Sequence, residues 1–239
     1  MSIEGKVVLI TGGTKGIGLG IAESIVQNGG KVVITGRQAD TTNHIAERLN
    51  ESFGHCAIGV AADVRKIEDQ KIAVKAAITE WGTLDVAIAN AGVGHFASIE
   101  DLTPSQWTEI IDINMTGPFY TIKAALDELK KSKGYFITIS SLAGTNFFAN
   151  GSAYNASKFG LVGFTQAVML DLRKYGIKVS TIMPGSVATY FNNHIPSPED
   201  EWKIQPEDIG QMVVDMLQMN PRTLPSKVEV RPTMPPSAR

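Results

Sequence analysis

The chain has a single cysteine, Cys56, in 239 residues, and only four histidines. One thiol excludes an internal disulfide framework, and no Cys/His group stands at metal-ligand spacing, so no metal is called for. An excess of either charge is also missing: 22 Lys and Arg face 24 Asp and Glu, for a formal net charge of −2. The basic residues are scattered, which leaves no electrostatic footprint for nucleic acid or an anionic membrane. No apolar run is long enough to cross a bilayer, and the opening "MSIEGKVVLITGG" enters a strand without a basic leader or a cleavable apolar segment. The expectation is a soluble, unprocessed protein of a reducing cytoplasm. Internal repeats, low-complexity tracts and linkers are absent too, so residues 1–239 read as one domain.

What is present is regular alternation. Short, continuously apolar runs rich in Val and Ile recur at 6–11, 31–36, 56–62, 84–90, 134–140 and 177–183, as strands covered on both faces should. Helical segments separate them at about 16–28, 40–53, 67–81, 104–131 and 154–175. Strand alternating with helix implies parallel pairing through right-handed crossovers. The fold class is therefore α/β, a Rossmann-type doubly wound parallel sheet with helices on both faces. Thr103 before Pro104 predicts an N-cap, and Gly176 predicts the end of the 154–175 helix. Residues 184–205 turn polar and proline-containing and read as a substrate lid, followed by a helix near 206–219 and a candidate edge strand at 227–232.

The first strand runs into "TGGTKGIG", Thr11 to Gly18, and then a helix. The literal G-x-G-x-x-G fingerprint is absent, but Gly12, Gly13, Gly16 and Gly18 serve the same physics. They let the backbone turn sharply and let phosphates approach a helix N-terminus. A tight turn without a ligand would read the same. At the end of the second strand, where NAD-binding folds usually present an acid to the ribose, the chain has Gly36 and Arg37, with Lys15 in the glycine loop. Two cations and no acid suit a 2′-phosphate, so the expected cofactor is NADP(H); either charge alone could equally be a solvated surface group.

The segment "YNASK" sets Tyr154 and Lys158 four residues apart, about one turn apart on one helix face. Tyrosine ordinarily titrates near ~10, and a neighbouring cation favours its phenolate. An amphipathic helix with a buried Tyr and a solvated Lys would show the same letters.

Taken together, "TGGTKGIG", Asn90-Ala91-Gly92, Asn114 in "DINMTG", "ISSLAG", "YNASK" and "PGSVAT" resemble the short-chain dehydrogenase/reductase family over residues 5–190. Among its members the chain is similar to 3-oxoacyl-[acyl-carrier-protein] reductases and carbonyl reductases. The resemblance implies an NADPH-dependent reduction of a ketone or aldehyde to an alcohol. Tyr154 would be its proton donor, and Lys158 would lower the tyrosine pKa and bind the nicotinamide ribose. Of Ser140 and Ser141, the family separation selects Ser141 to hydrogen-bond the substrate oxygen. Asn114 would bend its helix and hold a water on a path from the lysine.

On the cofactor side it implies Gly12, Thr14, Lys15, Gly16, Ile17 and Gly18 at the phosphates and Arg37 at the 2′-phosphate. Asp63 and Val64 would lie near the adenine, Asn90 and Gly92 along the ribose, and Pro184, Gly185, Val187 and Thr189 beside the carboxamide. By position in the fold, His95, Phe96, Leu142, Asn146, Phe147, Phe148, Asn150, Tyr190 and Phe191 surround the carbonyl, a lining suited to a greasy small-molecule substrate. His95 is expected as a wall or a loop hydrogen bond rather than an acid/base group.

Family members pair through the helices at 104–131 and 154–175, which implies a homodimer or homotetramer. The ending "KVEVRPTMPPSAR" lacks the glycine-rich turn of many tetrameric acyl-carrier-protein reductases and leaves the two open. Lys130, Lys131, Lys133, Arg173 and Lys174 could dock an acyl-carrier protein or be solvated helix ends. A non-catalytic NADP(H)-binding or sensing protein on the same scaffold is the alternative, against which the set Asn114, Ser141, Tyr154 and Lys158 argues.

Overall fold

Alternating residues of the first strand, β1 (Val7–Ile10), go to opposite sides of the sheet. Val8 and Ile10 join one buried cluster, and Val7 and Leu9 the other. The same division holds along β2 (Lys31–Gly36), where Val32 and Ile34 face the first cluster and Val33 the second. With β3 (Ala57–Ala61), β4 (Val86–Ala89), β5 (Tyr135–Ile139), β6 (Lys178–Pro184) and β7 (Lys227–Val230) these strands form one sheet in the order β3-β2-β1-β4-β5-β6-β7. Every pairing is parallel, from Val32 opposite Ala57 to Thr181 opposite Lys227. The computed structural model describes residues 2–235, so residue 1 and residues 236–239 of the expected domain lie outside the described residues.

One face is covered by α1 (Gly16–Gln27), α2 (Ala39–Phe53) and α7 (Pro206–Gln218), which supply Ile21, Ile25, Ile45, Leu49, Ile209 and Val213. The other is covered by α3 (Ile67–Trp81), α5 (Gly117–Ser132) and α6 (Ser152–Leu172), which supply Ala73, Ala77, Ile122, Leu129, Met169 and Leu172. This is the doubly wound arrangement the alternation of strand and helix predicts.

The expected 104–131 helix is not continuous. α4 (Pro104–Ile111) starts at Thr103, whose side chain accepts from the Gln106 N–H while the Gln106 side chain returns to the Thr103 N–H. Residues Asp112–Thr116 then form a π-helical turn, closed by the Gly117 N–H on the Asp112 carbonyl, before α5 begins. α6 starts two residues before Tyr154 and passes into a short 3₁₀ turn at Arg173–Tyr175, which Gly176 ends at φ 74°. The candidate edge strand is real but shorter, Lys227–Val230, and joins the sheet parallel to β6.

Candidate functional site

The glycine turn between β1 and α1 is built for close approach. Gly16 has φ +55° and Gly12 φ +64°, both in the left-handed region that favours glycine. A Cβ on Gly18 would lie 2.3 Å from the Gly12 carbonyl oxygen and 2.5 Å from Asn90 Nδ2. Asn90 ties β4 to that turn by donating from Nδ2 to the carbonyls of Thr11 and Gly12, at 2.9 and 3.0 Å. Thr189 covers the turn from the far side, its Cγ2 only 3.2 Å from where a Gly16 Cβ would be.

Beside the turn lies a cleft of about 530 Å³ lined by Thr14, Lys15, Gly36, Arg37, Gln38 and Thr41. It holds two cations and no carboxylate. Gly36 leaves little room for an acid, since its Cβ would meet Thr14 Cγ2 at 3.0 Å and Thr42 Cγ2 at 3.2 Å. The donor set and the shape therefore suit a phosphate group, and free N–H groups at the start of α1 favour the same charge. Arg37 also acts at longer range on Asp63, whose carboxyl is held below its ordinary range chiefly by the Arg65 guanidinium forked onto it at 2.6–3.1 Å. Val64 packs where a side chain on Gly117 would otherwise reach. Ile17 and Val187 rest against the core, and the Gly185 N–H donates to the Val230 carbonyl at 2.8 Å, fixing the turn after Pro184.

The second group of residues gathers from the π turn, the end of β5 and α6. Tyr154, Lys158, Ser141 and Asn114 come together from three elements. Ser141 stands beside the Tyr154 phenol and offsets part of the rise in its pKa, while its Oγ accepts from the Ala143 N–H at 3.1 Å. Lys158 is 5 % exposed, donates from Nζ to the Ile139 carbonyl at 3.0 Å, and lies 5.7 Å from the centre of the Tyr154 ring. Ser140, the other serine, bonds back to the Lys158 carbonyl, so it belongs to the strand end as expected. Gly92 approaches Lys158 closely, its Cβ position being 3.7 Å from Nζ. Asn114, at 1 % exposure, accepts from the Val93 N–H and donates to the Val93 carbonyl, both at 2.9 Å, and to Ser157 Oγ at 3.0 Å. The π turn lets it do so, because the extra residue turns the carboxamide away from its own helix and onto the chain after β4.

Electrostatics at Tyr154 differ from the expectation. Burial pushes the phenol up to about 12, opposed only by Ser141, while burial pulls Lys158 down to about 8. The physical reason is desolvation, which disfavours the charged form of each group; no charge on Lys158 enters the tyrosine's shift.

An aromatic cluster stands over the phenol. Phe96 packs edge-on against Tyr154 at 5.4 Å between ring centres and against Phe148 at 5.7 Å. Phe191 from the 184–205 segment lies 5.6 Å from Tyr154. The other expected lining residues divide. Leu142 sits 3.1 Å from the Gly185 Cβ position, and Asn146 offers its carbonyl to Asn155 Nδ2. Asn150 has φ 63° and gives its carbonyl to the Ala97 N–H. His95 bonds Glu109 on α4 at 2.8 Å, a loop hydrogen bond as expected.

Two placements do not hold. Phe147 is 87 % exposed and stays outside the cluster, whereas the adjacent Phe148, whose N–H donates to Asn155 Oδ1 at 3.3 Å, packs its ring against Phe96. Tyr190 stands over Lys15, 6.0 Å from its Nζ, at the mouth of the cation-lined cleft. Sequence reasoning also missed Gly94, Asn155 and Ser157. The glycine in "AGVGHF" and the Asn and Ser within "YNASK" were the signals present.

A parallel sheet with a glycine turn at its first crossover, a cation-lined cleft beside it and a Tyr–Lys pair at the strand ends defines a dinucleotide-type α/β protein. The chain belongs to the short chain dehydrogenase family, whose model matches residues 6–200. It is 39 % identical over 189 residues to trans-4-hydroxycyclohexanecarboxylate dehydrogenase of Sinomonas cyclohexanicum, covering 77 % of this chain and 73 % of the relative. Among solved structures it is similar to an alcohol dehydrogenase of the archaeon Thermococcus sibiricus complexed with 5-hydroxy-NADP. The TM-score is 0.91 at 27 % identity, over 96 % of this chain and 97 % of that one. It is also similar to the 3-ketoacyl-(acyl-carrier-protein) reductase of Brucella melitensis complexed with NADH, with a TM-score of 0.86 at 27 % identity over 97 % and 99 % of the chains. No helix among the described residues is long and apolar enough to cross a membrane.

Proposed function

We propose that the chain is an NADP(H)-dependent oxidoreductase that interconverts a ketone or aldehyde and its alcohol, with Tyr154 as the proton-transferring group. The observation that carries this reading is the Tyr154 hydroxyl, with Ser141 beside it and the buried Lys158 behind it. Lys15, Arg37 and the start of α1 would hold the phosphates of the cofactor, with Lys15 and Arg37 favouring the 2′-phosphate. When bound, the nicotinamide supplies or accepts the hydride.

The protein's own residues handle the oxygen. Ser141 donates to the carbonyl oxygen as negative charge develops there, and Tyr154 gives its proton to that oxygen. A phenol that burial keeps protonated is ready as a donor at neutral pH, and the alkoxide forming beside it is the stronger base. The phenolate left behind faces Lys158, which is largely charged below its value of about 8. Asn114 holds the segment after β4 and Ser157 in fixed relation to the pair.

The solved relatives bound to NADP- and NAD-type cofactors support the cofactor class, and the cyclohexane-carboxylate relative supports a carbinol or carbonyl carbon as the reacting centre. Lys130 and Lys131 pair within α5 with Asp127 and Glu128, which weakens their reading as a carrier-protein dock. The test is NADPH oxidation against cyclic ketones, aryl ketones, aliphatic aldehydes and an acetoacetyl thioester. Turnover with at least one carbonyl is expected; NADPH binding without turnover across the panel would support the sensing alternative instead.

A further inference from the structure

Phe191 begins a short 3₁₀ turn whose next two residues, Asn192 and Asn193, have φ 54° and 61°. Two successive left-handed residues reverse the chain, and asparagine tolerates that conformation better than most side chains. The segment is fastened at its base. The Ala188 N–H donates to the Ile204 carbonyl at 2.9 Å and the Ile204 N–H to the Ser186 carbonyl at 3.1 Å. Asp200 gathers His194 at 2.6 Å and Lys203 at 2.5 Å.

The Phe191 ring rests on bare backbone. A Cβ on Gly94 would lie 2.6 Å from its Cζ and 2.9 Å from its Cε1. Phe96 closes one side at 6.3 Å between ring centres, and Tyr154 closes another at 5.6 Å. The ring thus fills a seat that any side chain at position 94 would obstruct, yet it keeps 36 % of its surface exposed. The space beside the Tyr154 phenol is also where the carbon skeleton of a substrate must lie if its oxygen is to reach that phenol.

We propose that Phe191 determines the specificity of this site: its ring takes the place, over Gly94 and against Phe96, that the ring of a cyclic secondary alcohol or cyclic ketone takes during turnover, so that substrate enters by exchanging one ring for another. This rests on the reading of Tyr154 as the proton-transferring group. A cyclic substrate fills the vacated seat, whereas a short acyclic carbonyl leaves it empty and needs Phe191 in place as a wall. Substitutions at the two ends of the contact then act in opposite directions. Phe191→Ala empties the seat and favours rings. Gly94→Ala fills it and disfavours them.

The experiment compares cyclohexanone with propanone on the wild type, Phe191→Ala and Gly94→Ala. Affinity for the NADP⁺-loaded protein is read by ligand-observed NMR, and kcat/KM is read with NADPH. Phe191→Ala should raise the cyclohexanone-to-propanone ratio roughly tenfold, the scale of burying about two more methylene groups of the ring, and Gly94→Ala should lower it by a similar factor. NADPH affinity should stay at the wild-type level in both, which shows that they fold. Ratios that move less than twofold, or both ketones falling together, would overturn the proposal even if turnover persists. Affinity ratios that shift as expected with no reduction of either ketone would uphold the shared seat and refute the oxidoreductase reading.

Discussion

Tyr154 is half-buried and held between two demands, enough desolvation to keep the phenol neutral and a hydroxyl free enough to give up a proton. Burial wins in the resting protein and keeps the phenol neutral, with a stability consequence of definite sign. A phenol whose folded value of about 12 exceeds its unfolded value near ~10 contributes stability that is complete below about 10 and is lost as pH rises toward 12. Lys158 acts oppositely, since its folded value of about 8 lies below the ordinary one and its desolvation penalty is relieved as pH rises from about 8 to ~10.4. Tyr154→Phe should therefore gain stability relative to the wild type above pH ~10 and not at neutral pH. Urea midpoints at the two pH values check this.

Cofactor choice belongs to single residues as well. With Lys15 and Arg37 lining the cleft, Arg37→Asp should move preference from NADPH toward NADH roughly ten- to hundredfold, the worth of one charge-assisted phosphate contact. An unchanged ratio of the two dissociation constants would place the phosphate elsewhere. These residues were legible because type and spacing carry their chemistry. Phe147 was not distinguishable from Phe148, since two adjacent aromatics in a loop differ only in which one meets Phe96, a residue distant in sequence.

At the scale of elements, the strands could be read because a strand buried on both faces is continuously apolar, as "VVLI" and "VAIA" are. The Thr103 cap could be read because Pro104 follows it at the first helical position. The resemblance implied a bend at Asn114, but its form as a π turn at Asp112–Thr116 could not be read, because what stabilises it is the contact of Asn114 with Val93 and Ser157, residues distant in sequence. The same holds for Gly94 under Phe191. Asn114→Ala should leave the Val93 N–H, the Val93 carbonyl and the Ser157 hydroxyl short of a partner, and so cost roughly 2–4 kcal/mol of stability. Chemical denaturation measures it, and a loss below about 0.5 kcal/mol would mean that water or a relaxed turn replaces the carboxamide.

For the whole molecule, we propose that copies pair through α4, α5 and α6, where Trp107, Phe119 and Phe159 are each 43 % exposed and Leu170 is 59 % exposed. So many large apolar side chains on adjoining helices favour a covered face. Phe159→Asp should reduce the mass found by light scattering to that of one chain, whereas an unchanged oligomer would place the interface on another surface.

The proposed reaction turns on one proton. NADPH consumption should be followed with wild type and Tyr154→Phe side by side, using the best carbonyl substrate, with NADPH affinity measured on both. Turnover should fall at least ~10²-fold in the variant while NADPH affinity stays within about twofold, since only the transferable proton is removed. Near-normal turnover in Tyr154→Phe would contradict the account.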